Sequence, residues 1–496
     1  MQIKKLLAPM FAPLVLSAAF GLMACGDDSS TAPANNPVVD PSTDPSLIPT
    51  DPATNPTTNP TTNPTDPSTN PSVTPTDPTP VVVDPTAPWT PTVALASTAN
   101  VLYPATVYQA WKPFHFVTFE EESAYYADIS SEFADIFFPE FLPAGRVIWS
   151  AQTTGYYAKQ CQDKNSTVPG MKARGCTVSE GTGYGMLLTY FNGDEDAFIR
   201  LWNYSRAYRS YNSTSTVPAY LTPWITFSFH YNEIDNSSAT DADLDIATSL
   251  VLMYYKTQNQ AFLADALNII GAIWDHEVNK TSLLLLSGDT PMWDGSTGPI
   301  VYNLSYFSPV ALRLFAMVDP NHNWTGVLDA MYNYMATVQA AGTGVFPDWS
   351  DAAGAAAKPA NGSADNTYWT FNKESVRIPW RIAWDYYWFQ DPRALSVLTT
   401  LNTFIVGKSG GNPSSEALAI NYSWDPAKKD ANTSTVPAHW LSAWCATGLG
   451  NNPTWLESCT ALVNAKVPSN SGSSYFTDIL LGMYSALLNG AFVRPF

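Results

Sequence analysis

The sequence predicts an all-α fold, and three observations support that prediction. Apolar residues recur with helical periodicity in nine segments beyond residue 89. The connections between them are long and rich in Gly, Pro, Trp and Tyr, as in Gly288 to Pro299 and Gly342 to Asn366. The first fifth of the 496-residue chain has a composition that cannot form a packed core. We therefore expect one large helical domain over residues 89–496.

The predicted helices follow one another along this domain at short intervals. In chain order they span Tyr184 to Tyr204, Leu244 to Tyr255, Phe262 to Trp274, Val310 to Met317, Val327 to Val338, Ile378 to Trp388, Ala394 to Phe404, Ala438 to Leu449 and Tyr475 to Leu488. Long structured connections on a helical scaffold usually carry function, so we expect the functional residues near helix ends.

The N-terminus has the pattern of an export signal over residues 1–24. Lys4 and Lys5 precede the apolar stretch Leu6 to Met23, and Cys25 follows directly after Ala24. The Leu-x-Ala-Cys end resembles a bacterial lipobox, which implies cleavage before Cys25 and lipidation of its thiol. A plain signal peptide cut nearby is the alternative. We expect an exported protein that is lipid-anchored to the bacterial outer membrane or cell surface.

Residues 25–88 consist mainly of Pro, Thr, Asn, Asp and Ser in near-repeats. Such a composition cannot bury a core, and its prolines favour extended polyproline II. At about 3.1 Å per residue, some sixty residues reach on the order of 190 Å. This segment is predicted to be a disordered linker between the lipid anchor and the domain at 89–496.

Charge and cysteine content narrow the class of partner. A net charge of −19 without a basic stripe argues against nucleic acid. Besides Cys25, the four cysteines favour two local disulfides, although four cysteines allow three pairings and free buried thiols remain open. The expected pairs are Cys161 with Cys176 and Cys445 with Cys459. Neither a Cys-x-x-Cys spacing nor clustered histidines occur, so we expect no metal site. We also expect a monomer that needs no cofactor.

Two acidic stretches about sixty residues apart point to the chemistry. Glu180 lies in Ser179 to Met186, among glycines that would leave the backbone open to a ligand, and Asp241 lies in Ala239 to Ala247. Each carboxylate stands where a helix is predicted to begin. Hydrolysis of a glycosidic bond needs one group to protonate the departing oxygen and a second to act on water or the anomeric carbon. The sequence therefore predicts an enzyme that cleaves polysaccharide.

These motifs, in their order and spacing, resemble glycoside hydrolase family 8, the inverting endo-glucanase, xylanase and chitosanase family built on an (α/α)6 barrel. Besides the two acidic stretches, the resemblance covers four segments, namely Leu221 to Trp224, Asn303 to Pro309, Phe346 to Trp349 and Ser375 to Arg381. It implies that Glu180 is the general acid and that Asp241 holds the sugar at the cleavage subsite.

Other residues take narrower roles. By resemblance, Trp224, Trp293 and Tyr306 are aromatic residues of the cleft, where the flat face of a sugar stacks on a ring. Tyr306 could also orient the attacking water. Thr240 with Asp243 has the pattern of a capping box, and we assign the capping role to Asp243.

The general base is where the sequence departs from the family. Many members supply an Asp in a Tyr-Asp-Ala-x-Arg segment, and the aligned residues here are Lys373 to Arg377, with Glu374 at the Asp position. We assign the base to Glu374, and Arg377, three residues later, would keep its carboxylate ionised or simply form a surface ion pair. Some family members take the base from another loop. The rival carboxylates are Asp348, Asp351 and Asp365.

Together these observations predict an inverting endo-hydrolase of β-1,4-linked glucan, either cellulose-type or mixed-linkage. Xylanase or chitosanase activity of the same family is the first alternative. A glycan-binding surface lipoprotein that has lost catalysis, and a lyase or phosphorylase on the same barrel, are the others. The expected partners are polysaccharide and, through the anchor, a membrane.

Overall fold

The computed structural model describes residues 89–122, 143–149, 176–210, 217–226, 237–290, 299–359, 367–432, 436–471 and 474–496. Twelve α-helices lie completely within these ranges. They alternate along the chain between an outer and an inner position. The outer helices are α1 (Tyr103–His115), α3 (Glu195–Ser210), α5 (Gln260–Glu277), α7 (Trp324–Ala341), α9 (Pro392–Ser409) and α11 (Pro453–Val463). The inner helices are α2 (Ser179–Phe191), α4 (Thr240–Thr257), α6 (Pro309–Val318), α8 (Ile378–Phe389), α10 (Ala438–Ala446) and α12 (Tyr475–Leu488).

The inner helices form a closed ring. Each contacts the next inner helix along the chain, and α12 returns to contact α2. Each outer helix packs against an inner neighbour. Helices of the inner ring are buried on nearly every face, as a helix surrounded by others must be, so their sequences are apolar or small almost throughout. This is an (α/α)6 barrel, and the predicted fold class is confirmed.

Four short antiparallel strand pairs occupy connections between helices. They join β1 (Phe116–Thr118) to β2 (Gly145–Val147), β3 (Thr177–Val178) to β4 (Ile225–Thr226), β5 (Val301–Tyr302) to β6 (Ser350–Asp351), and β7 (Ile420–Asn421) to β8 (Ala431–Asn432). Strand β3 runs directly into α2, and β6 lies in the long connection before α8. These strand pairs hold connecting segments of the chain together by backbone hydrogen bonds.

The helix boundaries differ from the sequence prediction in two ways. The predicted helix from Tyr184 to Tyr204 is two helices, because the chain turns at Gly193, whose φ of 71° suits a residue without a Cβ. Helices α1 and α11 were not predicted. Pro113 lies inside α1 and Pro453 begins α11, and prolines obscure helical periodicity in a sequence.

The predicted disulfide between Cys445 and Cys459 is wrong, because both are free, buried thiols. Cys445 Sγ lies 3.6 Å from Thr460 Oγ1, and Cys459 Sγ donates to the Leu441 carbonyl at 3.9 Å. Burial raises the pKa of the Cys459 thiol well above its usual value, which favours the unreactive protonated form. Cys176 is disulfide-bonded, and its predicted partner, Cys161, lies outside the described residues.

The N-terminal signal, the lipidation residue Cys25 and the linker also lie outside the described ranges. Within those ranges, none of the helices combines the length and apolarity that crossing a membrane requires.

Candidate active site

The N-terminal ends of the inner helices supply the candidate residues at one end of the barrel. Glu180 lies in the first turn of α2, Asp241 in the first turn of α4, and Tyr475 is the first residue of α12. A 3-10 turn, Ser375–Arg377, precedes α8. Free backbone N–H groups at a helix start favour a carboxylate there, which explains why these positions hold acids.

Arg377 joins the three predicted catalytic carboxylates. Its Nη1 donates to Glu180 Oε2 and, at 2.9 Å, to Asp241 Oδ2. Its Nη2 donates to Glu374 Oε2. The Arg377 side chain is only 4% exposed, so these ion pairs are poorly screened by solvent. The structure thus brings together the residues that the sequence predicted.

Two groups hold the Glu374 carboxylate. Besides Arg377, the Asn303 side-chain amide donates from Nδ2 to Glu374 Oε2 at 2.7 Å. The orientation of that amide is fixed, because Asn303 Oδ1 accepts from the Ser305 backbone N–H at 3.0 Å and the Ser305 hydroxyl at 2.7 Å. Both donors approach the same oxygen, and no donor among the described residues reaches Oε1. One oxygen of Glu374 is therefore anchored and the other is available.

Glu180 is held by a tyrosine from the last inner helix. The Tyr475 hydroxyl donates to Glu180 Oε1 at 2.9 Å. Close approach requires a glycine beside Glu180, because a Cβ at Gly181 would lie 3.0 Å from that hydroxyl. A Cβ at Gly183 would meet the Asp245 side chain at 2.9 Å. These glycines are buried against neighbouring helices, so the expectation that they leave the backbone open to a ligand is wrong.

Burial dominates the electrostatics of the site. It raises the pKa of Glu180 above its usual value, against the opposing effect of the Arg377 guanidinium. It likewise raises the pKa of Asp241 to about 7, again against Arg377, and the nearby Glu180 charge adds to the increase. Raised carboxyl pKa values in a cleft are typical of groups that exchange protons with a substrate.

A second arginine, Arg381, stabilises the helices that carry the site. Arg381, one helical turn beyond Arg377, donates to both oxygens of Asp245 at 2.7 and 2.9 Å. Both side chains are almost fully buried. The pair links α8 to α4 through the barrel interior, and it fixes the helix starts that carry Arg377 and Asp241.

The rival candidates for the base have other contacts. Asp348 Oδ1 accepts four hydrogen bonds, from the backbone N–H groups of residues 372, 374 and 375 and from the Ser375 hydroxyl. Asp351 is a turn residue, whose Oδ1 accepts from the Ala353 and Ala355 backbone N–H groups at 2.9 and 3.0 Å. Asp365 lies outside the described residues. Among the candidate bases that the structure describes, only Glu374 contacts Arg377.

Of the three predicted cleft aromatics, Tyr306 lies beside the carboxylates and Trp224 contacts the start of α2. Tyr306 is buried beneath Arg377, with the guanidinium carbon 5.4 Å from the ring centre. Trp224 is half-buried, its carbonyl accepts the Ser179 N–H at 2.8 Å, and its ring meets Trp149 edge-on. Trp293 lies outside the described residues.

The capping role assigned to Asp243 is wrong. Helix α4 has Ala239 at its N-cap position and no side-chain cap. Asp243 instead accepts from the Thr222 backbone N–H through Oδ1 at 3.0 Å. Because the side chain is buried towards the Leu221 to Trp224 segment, tertiary packing outweighs the local capping pattern.

The sequence did not predict the roles of Asn303 and Tyr475. Asn303 had a local signal, since an Asn before a short helical turn is a typical cap, and it does cap the 3-10 turn Leu304–Tyr306. Tyr475 had none, because it meets Glu180 across 295 residues of chain. Within the described ranges, no group of three or more His, Cys, Asp or Glu side chains is arranged to hold a metal ion.

Comparison with known proteins agrees with this geometry. The family model described as "Glycosyl hydrolases family 8" matches residues 166–480. The Beta-glucanase of Niallia circulans is 30% identical over 336 residues, covering 61% of this chain and 79% of the relative. Endoglucanase C of Ruminiclostridium cellulolyticum is 33% identical over 233 residues, and the match spans 46% of each chain.

Two solved structures share the fold. The apo beta-1,3-1,4-glucanase from Paenibacillus sp. X4 has a TM-score of 0.60 at 22% identity, with 82% of this chain and 97% of that chain covered. Rex8A from Paenibacillus barcinonensis, complexed with xylose, has a TM-score of 0.57 at 16% identity, with 78% and 93% covered. With the family model matching more than half of its residues, the chain belongs to glycosyl hydrolases family 8 and is a cellulase-like glycoside hydrolase.

Proposed function

We propose that the protein is an inverting endo-hydrolase of β-1,4-linked glucan, with Glu180 as general acid and Glu374 as general base. The observation that carries this proposal is the position of Arg377, whose guanidinium has Glu180 at one end and Glu374 at the other. Because the two carboxylates approach Arg377 from opposite ends, they can act on opposite faces of a sugar that binds between them.

We infer that the spacing of the two carboxyls suits inversion. Glu180 and Glu374 contact different nitrogens of the Arg377 guanidinium, so this group separates them. Inverting enzymes leave about 6.5 to 9.5 Å between carboxyls for a water, whereas retaining enzymes leave about 5 to 5.5 Å. The free Oε1 of Glu374 is the oxygen on which we place the attacking water.

Substrate entry must rearrange the Glu180 contacts. A general acid needs a proton on one carboxyl oxygen, but Glu180 accepts from Arg377 on Oε2 and from Tyr475 on Oε1. A neutral sugar between Glu180 and Arg377 would break the ion pair. Losing that positive neighbour raises the pKa of Glu180 further, so substrate binding itself favours the protonated acid. Asp241 keeps its bond to Arg377 and contacts the sugar.

Two relatives support glucan as the substrate. The Niallia circulans protein is named Beta-glucanase and the Ruminiclostridium cellulolyticum protein is named Endoglucanase C. The Paenibacillus barcinonensis structure contains xylose, so xylan is the second candidate. Residues 89–496 assayed on carboxymethylcellulose, lichenan, xylan and chitosan should release reducing sugar fastest from one of the two glucans. Preferential release from xylan or chitosan would overturn the glucan assignment.

The roles of the two carboxylates are tested by amide substitution. Glu180→Gln and Glu374→Gln should each lower kcat by about 10²- to 10⁴-fold, the range for loss of a general acid or base. Glu416→Gln makes the same chemical change at an exposed position and serves as the matched control. Wild-type turnover in either site variant would remove that residue from the mechanism.

The stereochemical outcome is read independently of rate. Proton NMR during hydrolysis of cello-oligosaccharides should show the α-anomer appearing first at the new reducing end, since inversion of a β-linkage gives α. An initial β-anomer would exclude the inverting mechanism and the water assigned to Glu374.

We further propose that the enzyme works at the cell surface, tethered through a lipid on Cys25 and the linker at 25–88. The lipobox resemblance and the linker composition support this. In a bacterial host, the full chain should partition with membranes and a Cys25→Ser variant should not. Equal membrane association of both would contradict the anchor.

A further inference from the structure

Asp348 makes an unusual set of contacts directly behind Glu374. Its Oδ1 accepts from the backbone N–H groups of Asn372, Glu374 and Ser375 at 3.2, 3.1 and 3.0 Å. The Ser375 hydroxyl donates to the same oxygen at 2.9 Å. Asp348 is 3% exposed, so one buried carboxylate oxygen gathers four donors from a single turn.

The turn needs an external acceptor. Backbone N–H groups at the start of a helix have no partner within it, and a side chain at the N-cap position usually accepts from them. Glu374 occupies the N-cap position of the 3-10 turn Ser375–Arg377 but makes no capping hydrogen bond. Its carboxylate is directed to Arg377 and Asn303 instead. Another residue must therefore satisfy the turn.

We propose that Asp348 is a positioning residue for catalysis, which caps the Glu374 turn from outside and so leaves the Glu374 carboxylate free to face the substrate. This inference rests on the proposed role of Glu374 as the base. Because the same turn ends at Arg377, Asp348 sets the position of both groups.

Asp348 is itself well supported. Its backbone N–H donates to the Tyr368 carbonyl at 3.0 Å, and strand β6, two residues later, pairs with β5. Strand β5 precedes Asn303, the other residue that holds Glu374. The β5–β6 pair therefore connects both supports of Glu374, which suits a rigid scaffold for one carboxylate.

We expect kcat to depend on the length of the Asp348 side chain and on its acceptor oxygen, and not on its charge. Asn keeps that oxygen at the same distance and caps helices about as well as Asp, so Asp348→Asn should retain kcat within about threefold. Asp348→Glu keeps the charge but extends the chain by one carbon. A displacement near 1 Å can lower a rate by about 10²-fold, so Asp348→Glu and Asp348→Ala should lose about 10- to 10²-fold in kcat.

The measurement is kcat and KM on a soluble β-glucan for each variant, with the concentration of folded enzyme determined by circular dichroism. Values of KM should stay within about threefold of wild type, since the turn positions reacting groups rather than distant subsites. Asp351→Asn is the matched control, because Asp351 caps a neighbouring turn that carries no site residue. If Asp348→Ala does not fold, the Asn and Glu variants decide the question.

Three results would overturn the inference. Loss of activity in Asp348→Asn as complete as in Glu374→Gln would make Asp348 a base in its own right. An active Glu variant beside an inactive Asn variant would show that charge, not position, matters. Full kcat per folded molecule in all three variants would leave Asp348 a purely structural residue. A wrong assignment of Glu374 as the base would be distinguishable from these results, because Glu374→Gln would then retain turnover while Asp348 is unchanged.

Discussion

Arg377 offers the sharpest test of the site electrostatics, through the substitution Arg377→Gln. The guanidinium is buried and contacts the carboxylates of Glu180, Asp241 and Glu374. Glutamine can still donate hydrogen bonds, but it carries no charge. The variant therefore removes the positive charge that these three acids contact, while a shorter polar side chain remains.

The magnitude follows from the contact distances. With Nη1 2.9 Å from Asp241 Oδ2, the centres of opposite charge are about 4 Å apart, which corresponds to about 4 kcal/mol at an effective dielectric constant of 20. At 1.36 kcal/mol per unit, that equals roughly three pKa units for a fully buried acid. The side chain of Glu180 is 17% exposed, so solvent screening reduces the change in its pKa.

The expected result is a displaced pH–rate profile. The basic limb of kcat/KM, which reports loss of the proton from the general acid, should move to higher pH by about one to three units in Arg377→Gln, because the guanidinium lowers the pKa of Glu180. The pKa of Asp241, about 7 in the native protein, should also increase. Initial rates on a soluble β-glucan between pH 4 and 9 give the measurement.

Arg313→Gln is the matched control for this experiment. Arg313, on α6 and partly buried, forms ion pairs with Asp385 of α8 and with Asp391 at the start of α9, without contact to the three site carboxylates. It should lower stability and leave the shape of the profile unchanged. If the midpoint of the pH–rate limb in Arg377→Gln stays within about 0.3 pH units of the wild-type value, the charge of Arg377 does not control the pKa values of the site.

Three further outcomes are expected. Asp245→Asn leaves Arg381 buried without its carboxylate and should lower the free energy of unfolding by about 3 to 5 kcal/mol in urea titrations; a loss below about 1 kcal/mol contradicts this. Burial raises the pKa of Asp243 to about 8, above its unfolded value near 4, so the folded state holds a proton that the unfolded state releases. Stability should therefore fall as pH rises from about 4 to 8, and Asp243→Asn should flatten that slope in thermal melts, whereas equal slopes would oppose the assignment. Asn303→Ala removes a hydrogen bond to Glu374 and the cap of the turn Leu304–Tyr306, so it should lower kcat by about tenfold or more and the free energy of unfolding by about 0.5 to 2 kcal/mol; unchanged kcat would show that Asn303 does not support the base.

The periodicity of the chain was enough to predict the helical scaffold. Nine segments had clear apolar spacing and cover every helix named above except α1 and α11, and the barrel followed from the family resemblance of the motifs. Helix starts that carry Glu180 and Asp241 were also readable, because the preference of carboxylates for the first turn is a local effect. The misassigned cap at Asp243 shows the limit of such local rules, since a buried partner from another segment replaced the predicted one.

The arrangement around the carboxylates depended on closure of the barrel. Glu180 meets Arg377 across 197 residues and Tyr475 across 295, and Asn303 meets Glu374 across 71. The free state of Cys445 and Cys459 likewise depended on how α10 and α11 pack. Periodicity and capping record interactions over a few residues, so the sequence by itself determined the helices and the acids at their starts. Contacts between distant segments exist only once six inner helices close into a ring, and that packing alone decided which donor holds each carboxylate.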